Sequence, residues 1–288
     1  SDKLNKMLYL DSFVFCSSGA ESTSRAMRIA RAYTGKSKIA IFSGGWHGGH
    51  DYGLVDDTYN IGDNSEVSPI LKSNGVPESI LDSMLLLPYN DDSAFDLIRE
   101  NKDELAAVFI EPSQGSNPRD DMKIFLEQLR IVTKELNILL CFDEIITGFR
   151  IAKGGAQEFY NIDIDMATYA KTIGGGFPLG IIAGKNHIME SLQEKSVFMG
   201  GTFSANPISI AASLSVVDYL LHNDIYKDLN DNAKYLKQSI NNYCVYNAVP
   251  IRISNLGSMF RFIFTDKFVK SRKERDMYEI SSEIQNIF

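Results

Sequence analysis

Lys171, in the stretch DMATYAKTIGGGFPLG, is the residue of this chain best suited to act as a nucleophile. It ends an apolar run, and Gly174, Gly175 and Gly176 follow it. An amine desolvated by apolar walls gives up its proton more readily and can form a Schiff base with a carbonyl, and glycines leave room for a ring beside it. A solvated loop lysine is the alternative. Asp143 and Glu144 close a second apolar run in ILLCFDEIITGFR. Acids at the carboxyl ends of strands in open parallel sheets tend to face the ligand crevice; a helix cap or a structural ion pair would use them as well. In FCSSGAESTSRAMRIARAY, Ser17, Ser18, Gly19 and Ala20 stand between a strand end and a helix, where unpaired N–H groups and small side chains suit a phosphate. An ordinary serine cap would have the same sequence.

Three further stretches bear on the same chemistry. GGWHGG sets the only tryptophan, Trp46, beside His47 and between glycines, where an indole would cover a flat ligand or anchor a buried loop. Glu111-Pro112 follows another apolar run, and GGTFSANP offers the hydroxyls of Thr202 and Ser204. Other chemistries fail on spacing. Gly35-Lys36-Ser37 resembles the end of a phosphate-binding P-loop, but Ala30 stands where the earlier glycine is required, inside a helix. No G-x-G-x-x-G follows a strand. His47 and His50 lack the companions of a metal site, so no metal is indicated.

These residues need strand ends to carry them. Apolar runs over Lys38 to Phe42, Leu85 to Leu87, Leu105 to Ile110, Ile138 to Phe142, Asp165 to Ala170 and Leu179 to Ala183 alternate with helical periodicity. The alternation predicts an α/β fold: a mainly parallel sheet covered on both faces. Pro207 to Asn242 reads as helix, with little strand signal until Ile251, and this shift puts a domain boundary near Leu221. Residues 1–221 then form a large domain. Residues 222–288 begin a small α+β domain, with strands at Ile251 to Ile253 and Met259 to Phe264 and a helix over Ser271 to Phe288.

Composition narrows the class of protein. The 288 residues are 44% hydrophobic and 23% charged, the balance of a soluble globular chain. A net charge of -8 has the wrong sign for a nucleic-acid binder. No apolar run approaches the ~20 residues of a bilayer span, so no membrane partner is expected. Cys16, Cys141 and Cys244 are odd in number and far apart, which suits a reducing, cytoplasmic compartment. The start at Ser1 and the close on helical periodicity read as cut ends.

Taken in order, SSGAES, GGWHGG, the strand-end EP, FDEIITGFR, AKTIGGG and GGTFSANP resemble the class-III, pyridoxal-phosphate-dependent aminotransferases of fold type I. The nearest branch comprises glutamate-1-semialdehyde aminomutases and the aminotransferase domains of polyketide and nonribosomal peptide assembly lines. The resemblance implies a three-layer large domain binding pyridoxal 5′-phosphate, with Lys171 as the Schiff-base lysine and Asp143 paired to the pyridine nitrogen. It implies that Ser18, Gly19 and Ala20 hold the phosphate, that Trp46 and Ile145 flank the ring with His47 close by, and that the chain is a homodimer whose Thr202 reaches the neighbouring subunit's phosphate. The partners it implies are an amino donor and a carbonyl acceptor, free or carrier-bound. Two departures stand out. Trp46 replaces the usual Tyr or Phe, and Ser113-Gln114-Gly115-Ser116-Asn117 replaces the mutase pattern V-A-G-N after EP, which leans towards the assembly-line branch. The family's N-terminal segment, which carries substrate-carboxylate contacts, and the end of its small domain have no counterpart here.

Overall fold

The computed structural model describes residues 1–57 and 67–279. Its strands are β1 (Ser12–Cys16), β2 (Lys38–Phe42), β3 (Val55–Asp57), β4 (Pro69–Leu71), β5 (Met84–Leu87) and β6 (Leu105–Ile110). They continue with β7 (Leu139–Asp143), β8 (Met166–Tyr169), β9 (Gly180–Gly184), β10 (Arg252–Leu256) and β11 (Met259–Ile263). The helices are α1 (Gly19–Thr34), α2 (Ser93–Glu100), α3 (Lys123–Glu135), α4 (Gly155–Tyr160) and the short α5 (Asn186–Met189) and α6 (Ser191–Glu194). The last three are α7 (Pro207–His222), α8 (Tyr226–Tyr246) and α9 (Arg272–Tyr278). No helix among the described residues is long and apolar enough to cross a membrane.

The central sheet has seven strands in the order β1-β9-β8-β7-β6-β2-β5. β5, β2, β6, β7 and β8 pair in parallel, while β9 is antiparallel to both β8 and β1. Because β9 reverses twice, β1 points the same way as the parallel strands. The carboxyl ends of β1, β2, β6, β7 and β8 therefore share one edge, and every sequence motif with candidate chemistry except GGTFSANP, which follows α6, lies at one of those ends.

Alternation along the strands builds two cores, one per face. Ile39 and Ile41 of β2 pack with Ala26, Met27 and Ile29 of α1, while Ala40 and Phe42 pack with Phe95 of α2 and Phe125 and Leu129 of α3. Every residue of β6 is buried, as an inner strand covered on both faces requires. This is the three-layer α/β arrangement that the sequence predicts. α1 starts at an N-cap on Ser18 and ends at Gly35, whose φ of 72° places it in the left-handed region; the chain then enters β2, so Gly35-Lys36-Ser37 closes a helix.

The expected helix over Pro207 to Asn242 is two helices. Asn223 leaves helical geometry at φ -128° and ψ 128°, with its side-chain amide on the Tyr219 carbonyl at 2.8 Å, so α7 stops and α8 starts afresh. The boundary expected near Leu221 falls in the last turn of α7. The run Leu179 to Ala183 is a strand, as expected, but an antiparallel one. The β3–β4 ribbon has no counterpart in the sequence reading. β10 pairs with β11 beside α8. Of the helix expected over Ser271 to Phe288, α9 covers Arg272–Tyr278 and residues 280–288 lie outside the described residues.

Candidate active site

At the carboxyl edge of the sheet lies a cavity of about 400 Å³, within the range of small-ligand sites. One wall is the start of α1: Ser17, Ser18, Gly19 and Ala20 all line it. The amides of Gly19 and Ala20 sit in the first turn, where the helix itself offers no acceptor. Ser18 is also an ordinary N-cap, its Oγ accepting the Glu21 amide at 3.2 Å, so the capping and binding readings hold together. A Cβ on Gly19 would stand 2.8 Å from Ile145 Cδ1, and one on Gly180 would stand 2.2 Å from the Ser18 carbonyl oxygen. Glycine at these two positions lets the helix start sit hard against β9 and Ile145.

The floor is acidic and buried. Asp143, at the end of β7, lines the cavity and is 2% exposed. Its Oδ2 accepts His47 Nδ1–H at 2.7 Å, and its Oδ1 accepts the Ile145 amide at 3.2 Å and the Thr168 hydroxyl at 3.3 Å. A carboxylate only accepts, so Nδ1 of His47 carries the proton. Burial disfavours charge on His47, but the hydrogen bond and charge of Asp143, with Glu111 and Asp56 behind them, outweigh it and raise its pKa. His47 Nε2 is buried without a partner. Thr168, on β8 beside Asp143, had no sequence signal, because strand pairing sets that contact.

Glu111 also reaches the cavity. Its Oε1 accepts the Trp46 amide at 2.7 Å and its Oε2 the Gly115 amide at 3.2 Å. Burial, then the nearby Asp143 charge, pushes its pKa up to about 7. It is thus more than a strand-ending residue, since it fixes the loop that carries Trp46. Trp46 is 53% exposed and lines the cavity, which rules out the buried-anchor reading. Ile145 lines it too.

Glu144 departs from the pair. Adjacent strand residues face opposite ways, and Glu144 turns from the cavity to accept the amides of Ala156 and Gln157 at 2.8 and 2.9 Å and the Thr147 hydroxyl at 2.5 Å. It caps α4. Lys171 lines the cavity rim with φ at 47°. The expectation of an amine enclosed by apolar walls does not hold for this chain: Lys171 is exposed, because it opens a short 3-10 turn beyond β8 instead of ending inside it. Thr202 is exposed and is not among the residues that line the cavity. The structure therefore gathers Ser18, Gly19, Ala20, Trp46, Asp143, Ile145 and Lys171 around one cavity, sets His47 behind Asp143, and leaves Thr202 apart.

This donor set suits a flat ring with an anionic tail: free helix amides at one end, a buried carboxylate at the other, and an indole and a branched aliphatic between them. Such an arrangement on a three-layer α/β fold defines a class of cofactor-dependent transferase. The sequence model of the aminotransferase class-III family matches residues 1–282. The chain belongs to that family.

Among curated relatives, glutamate-1-semialdehyde 2,1-aminomutase of Methanocaldococcus jannaschii is 39% identical over 275 residues, covering 93% of this chain and 61% of its own length. The enzyme of that name from Methanobrevibacter smithii is 42% identical over 256 residues, covering 87% and 58%. An omega-transaminase from Sphaerobacter thermophilus superposes with a TM-score of 0.88 at 30% identity, over 98% of this chain and 65% of that one. A glutamate-1-semialdehyde aminomutase from Pseudomonas aeruginosa superposes with a TM-score of 0.84 at 18% identity, over 97% and 63%, and shows the shared fold. The chain thus spans about six tenths of the length of these curated relatives.

Proposed function

We propose that this protein transfers amino groups with pyridoxal 5′-phosphate, using Lys171 as the reactive amine. The observation that carries the reading is the convergence of Lys171, Asp143 and the α1 N-terminus on one cavity. Bound pyridoxal 5′-phosphate supplies a carbonyl that captures amines and a pyridine ring that accepts electrons from the substrate's α-carbon. The chain's residues supply the rest. Asp143, held in one orientation by His47, Ile145 and Thr168, would accept the ring N–H and keep the ring protonated. The Lys171 amine would capture the carbonyl of the bound group and, when free, hold and move the proton of the substrate's α-carbon. Ser18, Gly19 and Ala20 would donate to the phosphate, while Trp46 and Ile145 would flank the ring and keep water from it.

In the same reading residues 1–221 are the cofactor domain and residues 222–288 begin the small domain. The protein is a homodimer in which Thr202 serves the partner's phosphate, as its exposed position outside its own chain's cavity supports. The cytoplasm suits the three buried free thiols. Substrates are a small amino donor and a carbonyl acceptor, free or carrier-bound. A second reading, intramolecular transfer giving 5-aminolevulinate, draws support from the aminomutase names of the relatives.

Borohydride reduction of the purified protein with pyridoxal 5′-phosphate should fix a single phosphopyridoxyl group on Lys171, read by peptide mass spectrometry. Labelling elsewhere, or undiminished labelling of Lys171→Ala, sinks the proposal. Incubation with glutamate-1-semialdehyde and no amino donor separates the readings: 5-aminolevulinate appears only if the mutase reading holds.

A further inference from the structure

The loop carrying Thr202 is tied to the helix that opens at the cavity wall, and the tie is a buried guanidinium. Arg25, 6% exposed on the second turn of α1, donates from Nη1 to the Met199 carbonyl at 2.6 Å and from Nη2 to the Gly200 carbonyl at 2.7 Å. A longer contact from Nη1 reaches Ser204 Oγ at 3.4 Å. Arg25 also reaches Cys16 Sγ at 3.7 Å and pairs with Glu21, one helical turn back. Glu21 in turn accepts the Ser17 amide on Oε2 at 2.5 Å, next to the residues that line the phosphate end of the cavity. The loop has no room to drift from this pair. A Cβ on Gly201 would stand 2.8 Å from both Arg25 Nη2 and Ser204 Oγ and 3.3 Å from Glu21 Oε1.

We infer that Arg25 is a positioning residue: with Glu21 it clamps residues 199–204 onto α1 and so sets where Thr202 is presented, and it neutralises a carboxylate that would otherwise repel the phosphate. The inference rests on the cofactor reading above, with Thr202 serving the phosphate of the partner. Arginine suits the task. Its planar fork reaches two carbonyls and a carboxylate at once, which an ammonium on a flexible stem does not. Removing it leaves Glu21 as an uncompensated charge in the first turn of α1 and two loop carbonyls without donors.

The test compares wild type with Arg25→Ala, Arg25→Lys and Glu21→Gln by two measurements. The first is hydrogen exchange over residues 198–206 in the protein without cofactor, which reads the clamp alone. Protection should fall in Arg25→Ala and be partly kept in Arg25→Lys. The second is the Kd for pyridoxal 5′-phosphate against that for pyridoxal, which lacks the phosphate. Arg25→Ala should weaken the first by about tenfold or more, as lost charge-assisted hydrogen bonds do, and leave the second nearly unchanged. Glu21→Gln, which removes the charge and keeps the shape, should lower loop protection by less than Arg25→Ala and leave the preference for pyridoxal 5′-phosphate over pyridoxal intact. Unaltered loop protection in Arg25→Ala overturns the clamp. Equal losses for the two ligands in Arg25→Ala and Arg25→Lys reduce Arg25 to a structural residue and overturn its link to the phosphate. A wild type that binds neither ligand overturns the cofactor reading instead, and the exchange measurement still decides the clamp. Should Arg25→Ala fail to fold, Arg25→Lys and Glu21→Gln answer both questions.

Discussion

The contact between His47 and Asp143 gives the sharpest test of the site. The pair spans 2.7 Å between side chains only 1% and 2% exposed, so neither group has water as a fallback. His47→Phe keeps a planar ring of similar bulk and removes the donor. Asp143 then retains two longer contacts, at 3.2 and 3.3 Å. Breaking a buried charged pair from one side costs about 3–5 kcal/mol, whereas the charge-assisted hydrogen bond itself contributes roughly 1.5–3 kcal/mol. The two quantities separate in a double-mutant cycle with Asp143→Asn. Each single variant should lose several kcal/mol, and the double variant should lose less than their sum by about 1.5–3 kcal/mol, a coupling of roughly 10- to 150-fold. Trp46, the only tryptophan, reports urea unfolding from the cavity itself. The same four proteins assayed for amino transfer should show His47→Phe lowering kcat/KM with borohydride labelling of Lys171 retained, because Asp143 is misoriented while the lysine is untouched. Costs that add to within ~0.5 kcal/mol would refute the claim that His47 acts through Asp143.

Other expectations follow from contacts already described. Gly19→Ala should cost about 1–3 kcal/mol and weaken cofactor binding, because the new methyl meets Ile145 Cδ1 at 2.8 Å; Ile145→Val removes that atom and should restore most of the loss. Glu144 is raised by burial to about 7 from 4.5, so the folded state holds its proton more tightly than the unfolded chain. The stability this gives is full below pH 4.5 and lost as pH rises through 7, on the order of 3 kcal/mol in all. Urea midpoints across roughly pH 5 to 8 should decline less in Glu144→Gln than in wild type by about that amount. Trp46→Phe should keep cofactor affinity within a few-fold, whereas Trp46→Ala should lose about tenfold, measured by equilibrium dialysis, with no change in folding stability for so exposed a side chain.

Strands buried on both faces are easily read from sequence, because no polar residue interrupts them; β6 and β7 are the plainest cases. The same property conceals direction. Leu179 to Ala183 is uniformly apolar whether β9 runs with its neighbours or against them, so the reversal that aligns β1 with the parallel strands could not be read. The α7–α8 break was hidden for a related reason: Asn223 stops the helix through its own conformation while apolar residues continue on both sides. Within the site, residue types marked Lys171, Asp143 and the Ser18 turn, and the alternation of strand faces was the available signal that Glu144 would point elsewhere. Thr168 and Arg25 lie inside the quoted stretches, but their contacts with Asp143 and with the Met199 and Gly200 carbonyls join distant parts of the chain that only folding brings together.

Lys171 sits at φ 47°, a backbone region that costs an L-residue other than glycine or asparagine roughly 1–2 kcal/mol. Selection on stability alone would replace it: Lys171→Gly should melt higher than wild type, and higher than Lys171→Ala, which keeps the strain and loses the amine. A chain that had retired into a scaffold would be free to drift towards that relief. Under the proposed function, the rest of the fold offsets that local cost to hold an amine at the cavity rim, as it offsets a similar cost at Phe149, Ser196, Ala205 and Ala248.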